Sequence, residues 1–323
     1  ERLQDALRAK EFISMKKIER KKRGFVKVEG LDSANNEGTK KAGDCTLILV
    51  EGLSAKTYAT MGISTGIFGK EGRDWFGILA LRGKLLNVRN ANTKSISEKR
   101  ESNTIMNIIQ SLGVEFNTDY TLEENYKKLR YGKVLIICDA DVDGFHITAL
   151  IQNLFHFLFP SLLQREEPFL NYLQTPIVRV FLNKKEDILF YNEYEYKRYV
   201  NEHKEEKINK KYYKGLGSSN KKDIKETFGV KVARFVSDES LNDTMNKVFH
   251  SKQAEARKDW LKKFNPNHTA LKWSGSDQET MSIKVSDFLD KELIKFSIAD
   301  CERSIPNLMD GLKESHRKVL FTC

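Results

Sequence analysis

The side chains most suited to chemistry lie in two acidic segments, and each segment directly follows an apolar run. Asp139, Asp141 and Asp143 occupy alternate positions of the segment CDADVDG, and Glu51 directly follows the segment TLILV. Four carboxylates in one crevice would repel one another and raise one another's pKa, so such a cluster needs a cation. Hard oxygen ligands favour Mg²⁺ over zinc. The pattern therefore predicts a magnesium site that would act on a phosphodiester.

The apolar runs before these carboxylates, at residues 46–50 and 134–138, are predicted to be strands of a mostly parallel α/β sheet. A continuous apolar run is typical of a strand that is covered on both faces. Functional side chains gather at the carboxyl ends of parallel strands. If the two strands are neighbours, Glu51 and the aspartates share one crevice.

Strands and helices alternate through the first half of the chain, which predicts a sheet with helices on both faces. We predict a further strand at 76–80 and helices at 104–112, 122–129 and 147–158. After Pro160 the pattern changes to a hairpin at 176–182 and 187–191, helices at 194–200 and 250–264, and a helical module from Val285. Residues 1–22 read as a basic helix, and a linker rich in Gly, Asn, Asp and Ser follows.

Two other interpretations of the acidic segment remain open. It could be a solvated acidic turn, which is common for so short a motif. It also resembles a calcium-binding loop, but such a loop has a bidentate Glu at its twelfth position, where this sequence has Leu150.

Basic side chains that could contact a phosphate backbone lie in three segments: LRGKLLNVR at 81–89, the Gly-rich loop KGLG at 214–217, and the charged helix. Gly83 would let a backbone approach closely. A solvated charged surface is the alternative for each segment. The candidate residues from these segments are Arg82, Lys84, Asn87, Lys214, Arg257 and Lys258.

The composition is that of a globular protein with more basic than acidic residues. The 323 residues include 55 Lys and Arg against 45 Asp and Glu, for a net charge of +10. This excess favours a polyanionic partner, or it serves solubility. No apolar stretch is long enough to cross a bilayer, and the four cysteines show no paired metal-binding spacing. We expect a soluble, intracellular protein without a membrane partner.

Five motifs resemble those of the type IIA DNA topoisomerases and occur in the same order. They are TLILVEGLSAK at 46–56, LRGKLLNVR at 81–89, DADVDGFHI at 139–147, YYKGLG at 212–217 and RSIPNLMDGLK at 303–313. The resemblance spans the chain from about residue 24 and is to the eukaryotic or large-DNA-virus form. Leu53 departs from the family pattern, which has Asp at that position.

The resemblance implies a domain order. Residues 44–162 would form a TOPRIM domain, a Rossmann-like parallel sheet flanked by helices, and 163–284 an α+β extension. Residues 285–323 would begin a winged-helix domain, and 1–43 would be a helix and linker from the ATPase side.

The resemblance also implies a reaction. Glu51 would be the general acid/base and a metal ligand, and Asp139, Asp141 and Asp143 would be further ligands of Mg²⁺, with two ions in each site. A tyrosine of the partner subunit in a homodimer would attack double-stranded DNA by transesterification. The positions that match DNA contacts in relatives are Lys84, Asn87, Arg257, Lys258 and Lys291.

In the family, the nucleophilic Tyr lies beyond the segment that ends here at Cys323. We therefore expect an inactive fragment of an ATP-hydrolysing enzyme, with ATP bound elsewhere. The enzyme would act in the nucleus of a cell, or in the host cytoplasm or viral factory for a virus. Other interpretations are a TOPRIM primase or nuclease, a phosphotransferase with Asp139 as nucleophile, and a non-catalytic DNA-binding module.

Overall fold

The computed structural model of the chain describes residues 28–91, 102–182, 186–204, 208–266, 271 and 279–323. The predicted basic helix at 1–22 lies outside these residues. The strands, in chain order, are β1 Leu31–Asp32, β2 Thr46–Val50, β3 Phe76–Ala80, β4 Lys133–Ile137, β5 Leu170–Leu173, β6 Val178–Phe181, β7 Ile188–Phe190, β8 Asn209–Tyr212, β9 Lys231–Val236 and β10 Glu279–Lys284.

A largely parallel, seven-stranded sheet forms the centre of the molecule. Its strand order is β1-β3-β2-β4-β5-β9-β10, and β2 lies between β3 and β4, parallel to both. The β4–β5 and β9–β10 pairs are also parallel, whereas β1–β3 and β5–β9 are antiparallel. The predicted α/β class and the predicted pairing of the two strands that precede the carboxylates are confirmed.

Helices cover both faces of this sheet. They are α1 Leu53–Gly62, α2 Ser102–Leu112, α3 Glu123–Tyr126, α4 Val142–Leu158, α5 Pro160–Leu163, α6 Glu193–Glu202, α7 Lys221–Thr227, α8 Leu241–Phe249, α9 Ala254–Lys262, α10 Val285–Phe288, α11 Ile294–Ser304 and α12 Glu314–Thr322. A π-helical turn, Leu289–Leu293, joins α10 to α11. Among the described residues, none of the helices has the length and apolar character needed to span a membrane.

Alternate residues of β2 are buried in two different cores. Leu47 and Leu49 pack in the core that contains α2 and α4, whereas Ile48 and Val50 pack in the core that contains α1. Successive side chains of a strand point to opposite faces of the sheet. Burial on both faces explains why this segment is apolar at every position.

A second sheet of three antiparallel strands follows the central one, in the order β7-β6-β8. The predicted hairpin corresponds to β6 and β7 and is confirmed. The large sheet also continues past residue 163, because β5 pairs with β4 and β9 pairs with β5. The domain bounds and the winged-helix assignment of 285–323 stay predictions.

Some element bounds differ from the prediction. Helix α4 begins at Val142 rather than at Ile147, because Asp141 caps its first turn. In the segment predicted as a helix at 122–129, only α3 is α-helical. Strands β1, β5, β8, β9 and β10 and helices α5, α7 and α8 were not predicted.

Candidate metal centre and its basic surroundings

Glu51 and Asp139 converge at the carboxyl edge of the sheet because β2 and β4 are adjacent parallel strands. Val50, the last residue of β2, is paired with Ile137, the last residue of β4. The backbone N–H of Asp139 donates a hydrogen bond to Oε2 of Glu51, with an N to O distance of 3.5 Å. The predicted meeting of the two acidic segments is therefore confirmed for this pair.

The Gly-rich loop at 214–217 lies directly on Asp139. The backbone N–H of Leu216 donates a hydrogen bond of 2.9 Å to Oδ1 of Asp139. The α-carbon of Gly215 is so close that a Cβ on it would lie 2.8 Å from Oδ2 of the same carboxylate. Sequence reasoning assigned DNA contact to this loop and missed its contact with the acidic edge. The available signal was glycine on both sides of Leu216, since glycine permits close backbone approach.

The two later aspartates are bonded differently. Asp141 is exposed and is the N-cap of α4, where its Oδ1 accepts a hydrogen bond of 2.8 Å from the N–H of Gly144. Asp143 lies in the first turn of α4, and Nη1 and Nη2 of Arg303 donate to its Oδ2 and Oδ1, each at 2.9 Å. Nζ of Lys84 also donates to Oδ1 of Asp143. Arg303 belongs to the motif at 303–313, and the sequence analysis predicts no role for it.

These carboxyl groups are of two kinds, because the pKa is raised in some of them and lowered in another. Burial, followed by the negative charge of Asp139, raises the pKa of Glu51. Burial also raises the pKa of Asp139, with a contribution from Asp141, although the hydrogen bond from Leu216 acts in the opposite direction. The hydrogen bond from Arg303 holds the pKa of Asp143 well below its usual range. Burial and neighbouring carboxylates therefore disfavour the charged forms of Glu51 and Asp139, whereas Arg303 and Lys84 balance the charge of Asp143.

The residues at this edge fit a hard divalent cation in their chemistry, although they do not form a complete ligand cage. Glu51 and Asp139 offer carboxylate oxygens whose mutual repulsion a cation would relieve. Within the described residues, no group of three or more His, Cys, Asp or Glu side chains lies close enough to hold a metal ion. Mg²⁺ typically takes one or two carboxylates and completes its shell with water and phosphate oxygens. The ligand assignments stay predictions.

A cavity of about 860 Å³ opens beside the acidic edge. Asp141 and Phe145 line it on the side of α4, and Tyr196, Tyr212 and Lys214 line it on the side of the three-stranded sheet. Asp141 can therefore be reached from solvent through this opening.

The turn after β3 carries two of the basic candidates. Arg82 is exposed and pairs with Glu29 at 2.7 Å. Gly83 adopts a φ of +76°, and a Cβ on it would meet no atom within 4 Å, so the space in front of this turn is open. Lys84 reaches across to Asp143. The turn thus lies next to the acidic edge.

Two candidates are held by hydrogen bonds to the chain itself. Nδ2 of Asn87 donates to the carbonyl of Phe249 at 2.8 Å, and its Oδ1 accepts from Nδ2 of Asn153 at 3.0 Å. Nη1 of Arg257 donates to the carbonyl of His250 at 2.6 Å, just beyond the end of α8. Both side chains fix α8 relative to its neighbours, and their contact with DNA stays a prediction.

Of the remaining basic candidates, Lys214 and Lys258 are exposed and Lys291 is half-buried. Lys258 pairs with Glu255 at 2.7 Å along α9, and Lys291 pairs with Asp287 at 3.4 Å. Ion pairs near the surface contribute little to stability. Lys214 is exposed at the cavity rim and precedes the glycine that approaches Asp139.

Comparison with known protein families gives two matches along the chain. The family model of the Toprim domain matches residues 46–182, and that of the C-terminal associated domain of TOPRIM matches residues 173–301. Glu51 and all three aspartates lie in the first match, and the Gly-rich loop lies in the second.

Similar proteins are type II topoisomerases. The chain is 43% identical over 319 residues to DNA topoisomerase 2 of Invertebrate iridescent virus 6, covering 94% of this chain and 28% of the relative. It is 43% identical over 306 residues to DNA topoisomerase 2-alpha of Rattus norvegicus, covering 91% of this chain and 19% of the relative. The DNA-binding, cleavage and re-ligation domain of Plasmodium falciparum topoisomerase II superposes with a TM-score of 0.77 at 36% identity, covering 93% of this chain and 39% of that one.

Proposed function

We propose that this chain, which belongs to the type II DNA topoisomerases, provides the metal-binding half of a DNA cleavage and religation site. The observation that carries the proposal is the meeting of Glu51 with Asp139 at one sheet edge, within the segment that matches the Toprim domain. The Toprim domain and the relatives imply a divalent metal, typically Mg²⁺. The chain spans about a quarter or less of the curated relatives, so the activity of a whole enzyme belongs to the proposal.

The proposed reaction is a reversible transesterification. A tyrosine oxygen attacks a DNA phosphorus atom, the bond from phosphorus to the 3′-oxygen breaks, and a 5′-phosphotyrosyl link and a 3′-hydroxyl result. The tyrosine hydroxyl has then lost one proton to solvent water, and the 3′-oxygen has gained one. Glu51 gives the 3′-oxygen its proton during cleavage and removes it during religation.

Two Mg²⁺ ions would be held by this edge, one by Glu51 with Asp139 and one by Asp139 with Asp141. Bound metal supplies stabilisation for the negative charge that develops on the leaving oxygen. Asp139 belongs to both ligand pairs, and its carboxylate is held in place by the N–H of Leu216. The Gly-rich loop therefore positions the shared ligand.

Duplex DNA is the proposed substrate, and a homodimer is the proposed working form. The basic turn with Arg82 and Lys84, together with Lys214, would contact phosphates on both sides of the acidic edge. ATP would bind outside the residues of this chain. The enzyme would work in the nucleus if its source is cellular, and in the host cytoplasm or viral factory if its source is a virus.

Substitution Glu51→Gln tests the proposal at two levels. In the chain itself, titration with paramagnetic Mn²⁺ followed by EPR should show a loss of affinity of about tenfold or more. Glu71→Gln, which removes an exposed carboxylate outside the site, should leave the affinity unchanged. In an active dimer that contains this chain, Glu51→Gln should abolish DNA cleavage and leave duplex binding largely intact. Normal relaxation of DNA by that variant would disprove the role of Glu51.

A further inference from the structure

Asp143 is bonded to two cations from separate parts of the chain. Arg303, in α11, makes two parallel hydrogen bonds to its carboxylate, each 2.9 Å long. Lys84, in the turn after β3, bonds Oδ1 of the same group. Paired Arg–carboxylate bonds are among the stronger and more directional contacts in proteins. Both oxygens of Asp143 are therefore already used.

An aromatic side chain on α11 reinforces this contact. The ring of Phe296 stacks on the ring of His146, with a centroid distance of 3.8 Å and an interplanar angle of 23°. Nζ of Lys84 lies 4.5 Å from the centroid of Phe296, and the guanidinium carbon of Arg303 lies 5.4 Å from it. Cations at such distances from an aromatic ring are attracted to it. Phe296 is thus surrounded by a stacked ring and two cations.

These contacts join three elements. Asp143 and His146 belong to α4, Phe296 and Arg303 belong to α11, and Lys84 follows β3. We propose that Asp143 is a docking residue that holds α11 against the acidic edge and keeps Lys84 beside it, and that it is not a metal ligand. The metal part of this inference rests on the proposed function, because it takes Glu51, Asp139 and Asp141 as the ligands.

Detaching Asp143 to bind a metal would leave Arg303 and Lys84 without this carboxylate. Arg303 would keep one other carboxylate, that of Asp300, which lies 3.1 Å away on the same helix. That pair lies within α11 and does nothing to hold α11 against α4. Asp300→Asn therefore serves as a matched control, since it removes a carboxylate from Arg303 and spares the docking contact.

A double-mutant cycle in the metal-free chain tests the docking role. Amide hydrogen exchange of residues 294–304 should speed up by about fivefold in Asp143→Asn and by a similar factor in Arg303→Gln. The combined variant should show no further increase, because either change alone already breaks the contact. Arg303→Lys should give an intermediate increase, since Lys cannot form two parallel bonds. Asp300→Asn should behave like the unmodified chain.

Two results would overturn the docking role. One is additive exchange rates in the combined variant, which would mean that the two residues act independently. The other is an equal effect from Asp300→Asn, which would mean that any carboxylate beside Arg303 matters in the same way.

Mn²⁺ titration of the charge-balanced variant Asp143→Asn/Arg303→Gln tests the second half of the inference. This variant removes one negative and one positive charge, so the field at the site changes little. We expect its dissociation constant to stay within about threefold of the unmodified chain, whereas loss of a true ligand should cost about tenfold or more. A tenfold loss would make Asp143 a ligand and disprove the inference. If the unmodified chain binds no Mn²⁺, the proposed function fails, and the exchange cycle still decides the docking role.

Discussion

The close approach of Gly215 to Asp139 makes a strong prediction about a residue that has no side chain. In Gly215→Ala, the new Cβ would lie 2.8 Å from Oδ2 and 3.3 Å from Cγ of Asp139. The backbone of Gly215 is extended, with φ of 168°, so alanine adds no backbone strain there. The clash must therefore be relieved by movement of the Asp139 carboxylate or of the loop.

Either movement breaks the hydrogen bond of 2.9 Å from the N–H of Leu216 to Oδ1 of Asp139. A hydrogen bond to a charged group contributes about 1.5–3 kcal/mol. Loss of a group that orients a metal ligand typically weakens metal binding by about tenfold to a hundredfold. We expect Gly215→Ala to raise the Mn²⁺ dissociation constant by a factor in this range. The fold should persist, because only a short side chain or a surface loop has to move.

EPR titration with Mn²⁺ measures this effect, and Gly217→Ala provides the control within the same loop. A Cβ at Gly217 would lie 3.3 Å from Cβ of Ser54, a contact that a shift of a few tenths of an ångström relieves. Its affinity should stay within about twofold of the unmodified chain, as is usual for a mild surface change. The reasoning is refuted if Gly215→Ala retains full affinity, or if Gly217→Ala loses as much.

Further predictions concern charge and pH. Leu53 is 77% exposed at the start of α1 and lies close to Glu51 in the sequence. Leu53→Asp should tighten Mn²⁺ binding by about threefold, because it adds negative charge near the cation. An unchanged Mn²⁺ titration would contradict this. Burial, with a smaller effect of Lys84, lowers the pKa of His146 to about 4. The metal-free chain should therefore lose stability as the pH falls from about 6.5 towards 4, because His146 takes up a proton more readily in the unfolded chain. The loss, measured by urea unfolding, should be smaller in His146→Gln. Identical pH profiles of the two proteins would exclude a contribution of His146. Lys214→Ala should weaken duplex binding, measured by fluorescence anisotropy, and reduce the slope of log affinity against log salt by about 1. An unchanged slope would argue against a phosphate contact at Lys214.

The sequence alone was sufficient to predict that the two acidic segments meet. The apolar runs before Glu51 and Asp139 have the composition of strands buried on both faces, and that burial is what the central sheet provides. The order of motifs then predicted the Toprim domain, which the family comparison confirmed. These features are readable because they depend on local composition and on neighbouring strands.

Strands with mixed composition were not predictable in the same way. β5 contains Asn171, which is buried and donates to backbone carbonyls, and β9 contains Lys231 and Arg234 among its apolar residues. Neither strand shows the continuous or alternating pattern that identifies a strand from sequence. Their place in the sheet depends on pairing partners that lie far along the chain.

Contacts between residues far apart in the sequence could not be predicted either. Leu216 bonds Asp139 across 77 positions, and Arg303 bonds Asp143 across 160. Charge and spacing can identify a basic residue that is able to pair with a carboxylate. They cannot identify which of many basic residues the tertiary fold brings close.

The three aspartates show why spacing must be read together with backbone conformation. In a strand, residues two positions apart point to the same side, so alternate spacing would place all three carboxylates together. Here the chain changes from extended to helical at Asp141, whose side chain caps α4. In a helix, each residue is rotated by about 100° about the helix axis, so side chains two residues apart point about 200° away from each other. Asp139 therefore stays beside Glu51, whereas Asp143 turns towards Arg303 and α11. One acidic segment can thus provide both a metal site and the contact that joins this site to the last helical module.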